Sequence, residues 1–394
     1  MQDQVVIVGA ARTPIGAFLG EMKEMSAPSL GAWAIEAAVA QSGVPVDNVD
    51  ECIMGCVLSA GLGQAPARQA ALRGGLSEAT GCVTVNKMCG SGMKALMDAH
   101  DRLRAETSGV VVAGGMESMS NAPYLLDRAR AGYRLGHGRI VDHMFLDGLE
   151  DAYEHGRLMG SFAEDCAEAY QFTRDRQDEF ALESLRRAQQ ATQDGSFAAE
   201  IVPVKVKQGK EERLASADEL PRKAKAEAIP RLRPAFREDG TLTAANSSAI
   251  SDGAAALVVA TLSKAEALGS QPLARIVGHA THAAAPAKFS TAPIAAINKL
   301  MEKVGWELTD VDLFEINEAF AVVVLAAERE LSLPHEKVNI HGGACALGHP
   351  IGASGARIVV TLLSALRKHD LKRGVASLCI GGGEATAIAV ERLD

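Results

Sequence analysis

Two cysteines, one histidine and one asparagine sit among neighbours that an ordinary core would not need. Cys89 ends the run Val85-Asn86-Lys87-Met88-Cys89 and opens Gly90-Ser91-Gly92, which reads as a strand end, a sharp small-residue turn and a helix that begins with the cysteine. A thiol at a helix start meets unpaired backbone N–H groups and the positive end of the helix dipole, both of which favour an anion. A thiolate can form there near neutral pH and attack a carbonyl carbon. A buried, inert cysteine explains the octapeptide equally well by itself. What separates the two readings is whether the chain also offers a base, an oxyanion site and a second proton carrier.

Three further phrases bear on that question. His349 lies in Gly342-Gly343-Ala344-Cys345-Ala346-Leu347-Gly348-His349-Pro350-Ile351-Gly352-Ala353-Ser354-Gly355-Ala356-Arg357, where small residues allow close backbone approach and Pro350 stiffens the turn that holds the imidazole. A phosphate-cradling loop at a helix start is the other reading, but the Lys-Ser/Thr ending of a P-loop is missing. Cys379 precedes Ile380-Gly381-Gly382-Gly383, and glycines at a strand end free backbone N–H groups to converge on one point, as an oxyanion site requires. Asn317, in Glu315-Ile316-Asn317-Glu318-Ala319-Phe320, could fix a water or a ring nitrogen; taken alone, it reads better as a helix N-cap. The other histidines read as surface or satisfied core, with His341 a weak exception.

The elements that must position these residues occur twice. Val5-Val6-Ile7-Val8-Gly9 is matched by Ala274-Arg275-Ile276-Val277-Gly278, and Asp47-Asn48-Val49-Asp50-Glu51-Cys52-Ile53 by Thr309-Asp310-Val311-Asp312-Leu313-Phe314-Glu315. The turn Cys89-Gly90-Ser91-Gly92 is matched by Gly352-Ala353-Ser354-Gly355, and the strand Val110-Val111-Val112-Ala113-Gly114-Gly115 by Val375-Ala376-Ser377-Leu378-Cys379-Ile380-Gly381. Two α/β units of the same order predict a duplicated fold with a pseudo-two-fold axis, and a site at the junction that draws loops from both units. Residues 1–119 form the first unit, completed by about 246–270, and residues 271–394 form the second. Residues 120–245 are a charged excursion, with one polar helix from about Ala163 to Ala191 and an aperiodic stretch from Lys205 to Arg233.

Composition narrows the function classes. A chain of 394 residues with 47% hydrophobic residues and 38 glycines suits a compact α/β enzyme. A net charge of −9 and only 4% aromatic residues argue against a nucleic-acid partner. Seven cysteines without a framework spacing point to a reducing compartment, and Cys52 and Cys56 lack the partners of a zinc site. No apolar run approaches the roughly 18 residues of a membrane span, and neither a secretory leader nor a peroxisomal C-terminal address is apparent. A soluble cytoplasmic protein is expected.

In order and along nearly the whole chain, these phrases resemble the thiolase family. The resemblance rests on Val85-Asn86-Lys87-x-Cys89-Gly90-Ser91-Gly92, Asn317-Glu318-Ala319-Phe320-Ala321, the His349 loop through Arg357, and Cys379-x-Gly381-Gly382-Gly383, joined by Gly114-Gly115-Met116-Glu117-Ser118 and Leu232-Arg233-Pro234-Ala235-Phe236. It implies a duplicated αβαβα layered fold with an inserted loop domain. It also implies acyl transfer by a ping-pong route, interconverting two acetyl-CoA with acetoacetyl-CoA and CoA. By the same match, Cys89 is the acyl-carrying nucleophile, His349 its base and Cys379 the second acid/base. One oxyanion hole then uses His349 and a water held by Asn317, and the other the N–H groups of Cys89 and Gly381. Ser248, Met159, Phe320 and Leu149 are implied CoA contacts, with Arg222 near the CoA phosphates. Because the thioester itself delocalises the carbanion, neither a metal nor an organic cofactor is expected, and coenzyme A thioesters are the substrates. A loop over residues 124–144 is implied to pair tight dimers into a homotetramer.

The alternatives are a 3-ketoacyl-CoA thiolase acting on longer chains, and a thiolase-like protein that binds acyl-CoA or lipid without turnover. A decarboxylating ketosynthase is disfavoured because its second base is expected to be a histidine where this chain has Cys379. Four positions depart from the usual biosynthetic pattern. Leu158 stands in place of a histidine, Ala245 and Ala249 in place of glycines, and Glu384 follows the triple glycine. Glu384 is expected to face solvent; the competing reading has it raise the pKa of Cys379.

Overall fold

The computed structural model describes residues 3–209 and 211–393. Asp394, the last residue of the C-terminal segment considered above, lies outside them. The first unit runs through β1 (Val5–Arg12), β2 (Gly16–Ala17), α1 (Ala27–Ser42), β3 (Glu51–Gly55), α2 (Pro66–Arg73), β4 (Gly81–Val85), α3 (Ser91–Arg104) and β5 (Val110–Ser118). The excursion holds the hairpin β6 (Tyr124–Leu126) and β7 (Ile140–Asp142), helices α4 (Met159–Tyr170) and α5 (Arg174–Gln193), the hairpin β8 (Val204–Gln208) and β9 (Glu211–Ala215), and α6 (Glu219–Lys223). The chain returns through β10 (Ser251–Thr261) and α7 (Leu262–Ala267). The second unit is β11 (Ala274–Ala283), α8 (Ala292–Val304), β12 (Leu313–Ile316), α9 (Ala321–Leu331), α10 (Ala344–Leu347), α11 (Ser354–Lys368), β13 (Arg373–Ile380) and β14 (Glu384–Arg392).

The main sheet has the order β12-β13-β14-β11-β1-β10-β5-β3-β4, with β2 beside β10. From the centre outward, β1-β10-β5-β3 and β11-β14-β13-β12 repeat one pattern of directions, two antiparallel steps and then a parallel one. The half-sheets join through the antiparallel pairs Val6↔Arg275 and Ile7↔Ala274. Even the short 3-10 turns correspond, Val46–Asn48 before β3 and Leu308–Asp310 before β12. This is the duplication expected from the matched phrases.

Alternation along the strands assigns each face to a layer. In β10, Ala255, Leu257 and Val259 pack with Met93, Leu96, Ile358 and Leu362 of α3 and α11. Ala254, Ala256, Val258 and Ala260 face α1 and α2 instead. In the second unit Ala385, Ala387 and Ala389 face α8 and α9, while Ile388 and Val390 turn to the central helices. The order is therefore helix, sheet, helix, sheet, helix. Apolar residues occupy both faces of these strands because both faces are covered.

Two local expectations are corrected. In place of one polar helix over 163–191 there are two, because Gln171 takes a left-handed backbone (φ 55°) and Thr173 caps the next helix by accepting from Arg176 N. The stretch after Lys205 is not aperiodic throughout: Val204, Val206 and Ala215 are buried on one side of the β8–β9 hairpin. Lys205, Lys207 and Glu212 lie on the other side with the exposed Leu214, and Arg213 opposite Val206 interrupts the apolar face, which hides the period of two in a plain reading of composition.

Candidate active site

The Cys89 loop is built by its own polar side chains. Asn86 Oδ1 accepts from Met88 N at 2.9 Å, Ser91 Oγ accepts from Lys87 N at 2.9 Å, and the same hydroxyl donates to Met88 O at 2.6 Å. These bonds hold Met88 at φ 47°, an uncommon backbone for a methionine, and so force the sharp turn. Gly90 is required because a Cβ there would strike the side chain of Ile380, the residue between Cys379 and Gly381. That close approach brings the two thiol-bearing segments together across the junction of the units.

Helix α3 begins at Ser91, not at the cysteine. The expected lowering of the Cys89 pKa by the helix start is overturned. Burial raises the thiol to about 11, although the N–H groups of Gly381 and of Cys89 itself point at the sulfur and pull the other way. Cys379 is buried on β13, and burial first, then charge on Cys89, pushes its thiol well above the ordinary range. Both thiols rest in the neutral form.

His349 is held in a defined tautomer. Ser354 Oγ donates its one proton to Pro350 O at 3.0 Å, so at 2.5 Å it accepts from His349 Nδ1–H. The lone pair is then on Nε2, which is buried and has no protein partner. Burial, followed by the charge of Arg357, lowers the imidazole to about 3 and keeps it an uncharged base. Its loop is tied to the rest of the site on two sides: His349 N donates to Ala249 O at 2.9 Å, and Ile351 packs with Met88, Cys89 and Leu149.

Asn317 is not a helix cap. Helix α9 starts at Ala321 with Phe320 at the cap position. Asn317 N donates to Ser377 O at 3.0 Å, and Arg357 Nη2 reaches Oδ1 at 3.5 Å. This leaves Nδ2 buried without a protein partner, a donor available to a water or a substrate oxygen.

The expected CoA residues divide. Ser248 N donates to Ala319 O at 2.9 Å, which sets the returning segment beside the Asn317 phrase. Met159 Sδ lies 3.4 Å from where a Cβ on Gly381 would be, and Phe320 meets Phe236 and Phe289 edge-on at 5.9 and 6.2 Å. Leu149 shares the apolar cluster of Cys89. Arg222 is not gathered into this group: it donates to Asp218 O and to Glu21 from α6. His341 is also elsewhere, its Nε2 3.4 Å from that of His369.

The four departures find local explanations. Glu384 does not simply face solvent, and it is not among the groups that shift Cys379. It pairs with Lys87, two residues before the nucleophile. Ala245 and Ala249 are absent from the positive-φ residues, so alanine fits both positions without backbone strain. Leu158 precedes α4 as its cap residue and bridges to Glu150.

Two residues of the site were not singled out from sequence. Glu117 sits in the β5 phrase Gly114-Gly115-Met116-Glu117 and accepts from Val57 N at 3.0 Å, Leu58 N at 3.1 Å and, across the junction, Gly352 N at 2.9 Å. Burial raises it to about 7 despite these three donors. Arg357, fully buried, is shared between Asn317 and Glu315. In both cases the available signal is a charged residue within an otherwise apolar or glycine-rich run.

Comparison with known families and structures agrees with this geometry. Residues 5–263 match the family model "Thiolase, N-terminal domain" and residues 270–392 match "Thiolase, C-terminal domain". The chain is 51% identical over 391 residues to acetyl-CoA acetyltransferase of Escherichia coli (strain K12), covering 99% of both chains. The structure is similar to that of Bacillus anthracis acetyl-CoA acetyltransferase, with a TM-score of 0.97, 44% identity and coverage of 100% of this chain and 99% of the other. It is also similar to the Acat5 thiolase of Ascaris suum solved in complex with coenzyme A, with a TM-score of 0.93, 41% identity and coverage of 99% and 100%.

Proposed function

Because the chain belongs to the thiolase family, we propose that it is an acetyl-CoA C-acetyltransferase that interconverts two acetyl-CoA with acetoacetyl-CoA and CoA. The observation that carries this reading is the meeting of two neutral thiols at the unit junction, with Gly381 N–H directed at the Cys89 sulfur. The E. coli relative's name and the coenzyme A bound to the Ascaris thiolase support the choice of substrate.

In the condensing direction, Cys89 Sγ attacks the thioester carbonyl of acetyl-CoA while its proton passes to His349 Nε2. The oxyanion is held by the N–H groups of Cys89 and Gly381. The C–S bond to CoA breaks, the CoA sulfur takes the proton of Cys379, and an acetyl group remains on Cys89. The Cys379 thiolate then removes a methyl proton from a second acetyl-CoA. The enolate oxygen is held by protonated His349 and by a water on Asn317 Nδ2. The enolate carbon attacks the acetyl-Cys89 carbonyl, the carbon–sulfur bond to Cys89 breaks, and His349 returns the proton to the Cys89 sulfur. Cys379 has meanwhile recovered a proton from the methyl group, so the cycle closes without a metal or an organic cofactor.

Ser248, Met159, Phe320 and Leu149 line the pantetheine path in this reading. Residues 120–245, which include Leu149 and Met159, carry part of the CoA contacts and those of a homotetramer. The cysteines are all free, which supports a reducing, cytoplasmic setting. Among the described residues no helix is long and apolar enough to cross a membrane.

The test is a chain-length series of thiolysis rates. Acetoacetyl-CoA should be cleaved with the highest kcat/KM; a strong preference for longer 3-ketoacyl-CoA substrates replaces the assignment with that of a long-chain thiolase. If there is neither thiolysis nor acetyl labelling of Cys89, the protein is a binder and not an enzyme.

A further inference from the structure

On the flank of the molecule, α3 of the first unit meets β11 of the second. There Asp101 Oδ1 lies 3.0 Å from His100 Nδ1 and 2.8 Å from His279 Nε2. The two imidazoles sit edge to face with centroids 5.0 Å apart. Both are largely buried, whereas the Asp101 side chain is 59% exposed. One donor atom from each residue lies within 4.8 Å of the other two.

We propose that His100, Asp101 and His279 form a binding site for a divalent transition-metal ion of the zinc, cobalt and nickel class. Two imidazole nitrogens and one carboxylate are borderline donors. They suit these ions and not calcium or magnesium, which take mainly oxygen ligands. An ion with bonds of about 2.0–2.1 Å in tetrahedral geometry needs donor atoms about 3.3–3.4 Å apart. The two hydrogen-bonded edges of the cluster need to open by only a few tenths of an ångström to reach this. On binding, the ring protons now directed at Asp101 move to the far nitrogens, so each imidazole stays neutral and presents a lone pair. The exposed side of Asp101 leaves a fourth position for water.

The surroundings set the character of the site. Both imidazoles are held mostly out of water, and the opening to solvent is on the Asp101 side. Arg104 lies close enough to act on His100, and Lys303 Nζ donates to His279 O at 3.0 Å. These two positive charges oppose a cation, while Asp101 is the carboxylate that attracts it. The result is an exchangeable site, not a closed structural one. Because its ligands come from α3 and β11, an ion there staples the two units, and α3 is the helix that follows the Cys89 turn.

The test is calorimetric titration of the metal-free, full-length protein with Co2+, in parallel with Asp101→Asn, His100→Gln and His279→Gln. All four proteins keep Cys89, Cys379 and His349, so Co2+ taken up by the catalytic groups is common to them and cancels. One Co2+ per chain should be lost, or weakened at least about tenfold, in each variant. Co2+ should raise the melting temperature of the unaltered protein and not that of the variants. Metal-free thiolysis should remain within about twofold in any variant whose circular dichroism is unchanged. The proposal is overturned by equal Co2+ uptake in all four proteins, or by no uptake at millimolar Co2+; the cluster is then a hydrogen-bonded tie and nothing more. None of these readouts depends on which acyl-CoA is the substrate.

Discussion

Cys89 and Cys379 are kept protonated chiefly by removal from water, so the Cys89 anion arises only as its proton moves to His349 and the Cys379 anion only as its proton moves to the CoA sulfur. This makes a pH prediction whose sign follows from the raised Cys89 value of about 11. Below that value the thiolate fraction grows about tenfold per pH unit. Alkylation of Cys89 by iodoacetamide, read at its own peptide by mass spectrometry, should therefore still be rising at pH 9. A plateau near pH 7 would show a thiolate held ready and contradict the burial argument. The Cys89 peptide must be followed separately because Cys82, lowered to about 7 chiefly by the Cys52 thiol beside it, labels earlier. The division of labour gives a second residue-scale expectation. Cys89→Ala should abolish both directions and the covalent acetyl-enzyme. Cys379→Ala should still accept acetyl label on Cys89 but form no carbon–carbon bond; normal condensation by that variant refutes the assigned roles.

Loops, more than helices or strands, hold this chemistry in place, and they are cross-tied between the units. The Cys89 turn is linked to the segment after Cys379 by the Lys87–Glu384 pair. Both partners are partly exposed, so the pair contributes less than about 1 kcal/mol to stability. Its effect should appear in turnover instead, because a small misplacement of two reacting groups is costly in rate. Glu384→Gln should lower kcat of condensation several-fold with little change in melting temperature, and high salt should reproduce part of the loss in the unaltered enzyme. A variant with unchanged kcat would reduce the pair to surface decoration. On the histidine side, Ser354→Ala removes the acceptor that fixes the tautomer. We expect a drop in kcat of about ten- to a hundredfold, judged from what comparable orienting partners supply elsewhere.

At the scale of the whole molecule, the two units approach so closely that glycine is obligatory along the seam. A Cβ on Gly355 would lie 2.5 Å from Met93 N, and one on Gly92 would lie 2.8 Å from Ala356 N. Gly355→Ala should therefore cost about 1–3 kcal/mol by overpacking, measured as a lower denaturant midpoint. The excursion is bound to the first unit through Arg12, which pairs with Glu200 at 2.5 Å and with both oxygens of Asp218 at 2.7 and 2.9 Å, all buried. Arg12→Met leaves two buried carboxylates uncompensated and should destabilise by about 3–5 kcal/mol. A loss below 1 kcal/mol would mean that the two acids simply take up protons in its absence.

The amino-acid sequence by itself determined the duplication, the central strands and the identity of the reacting side chains. Repeated phrases such as Cys89-Gly90-Ser91-Gly92 and Gly352-Ala353-Ser354-Gly355 carry information that is local, in residue type and spacing. Protonation and partnership were decided only by the tertiary structure. Whether Cys89 rests as thiol or thiolate depends on how much water the other unit excludes. Asn317 resembles a cap until Arg357 and Ser377, distant in the chain, are seen to hold it with its amide group inward. Glu117, Lys87 and Glu384 acquire meaning only from groups lying across the junction of the units. Desolvation and long-range pairing are properties of the packed molecule, and no window of sequence contains them.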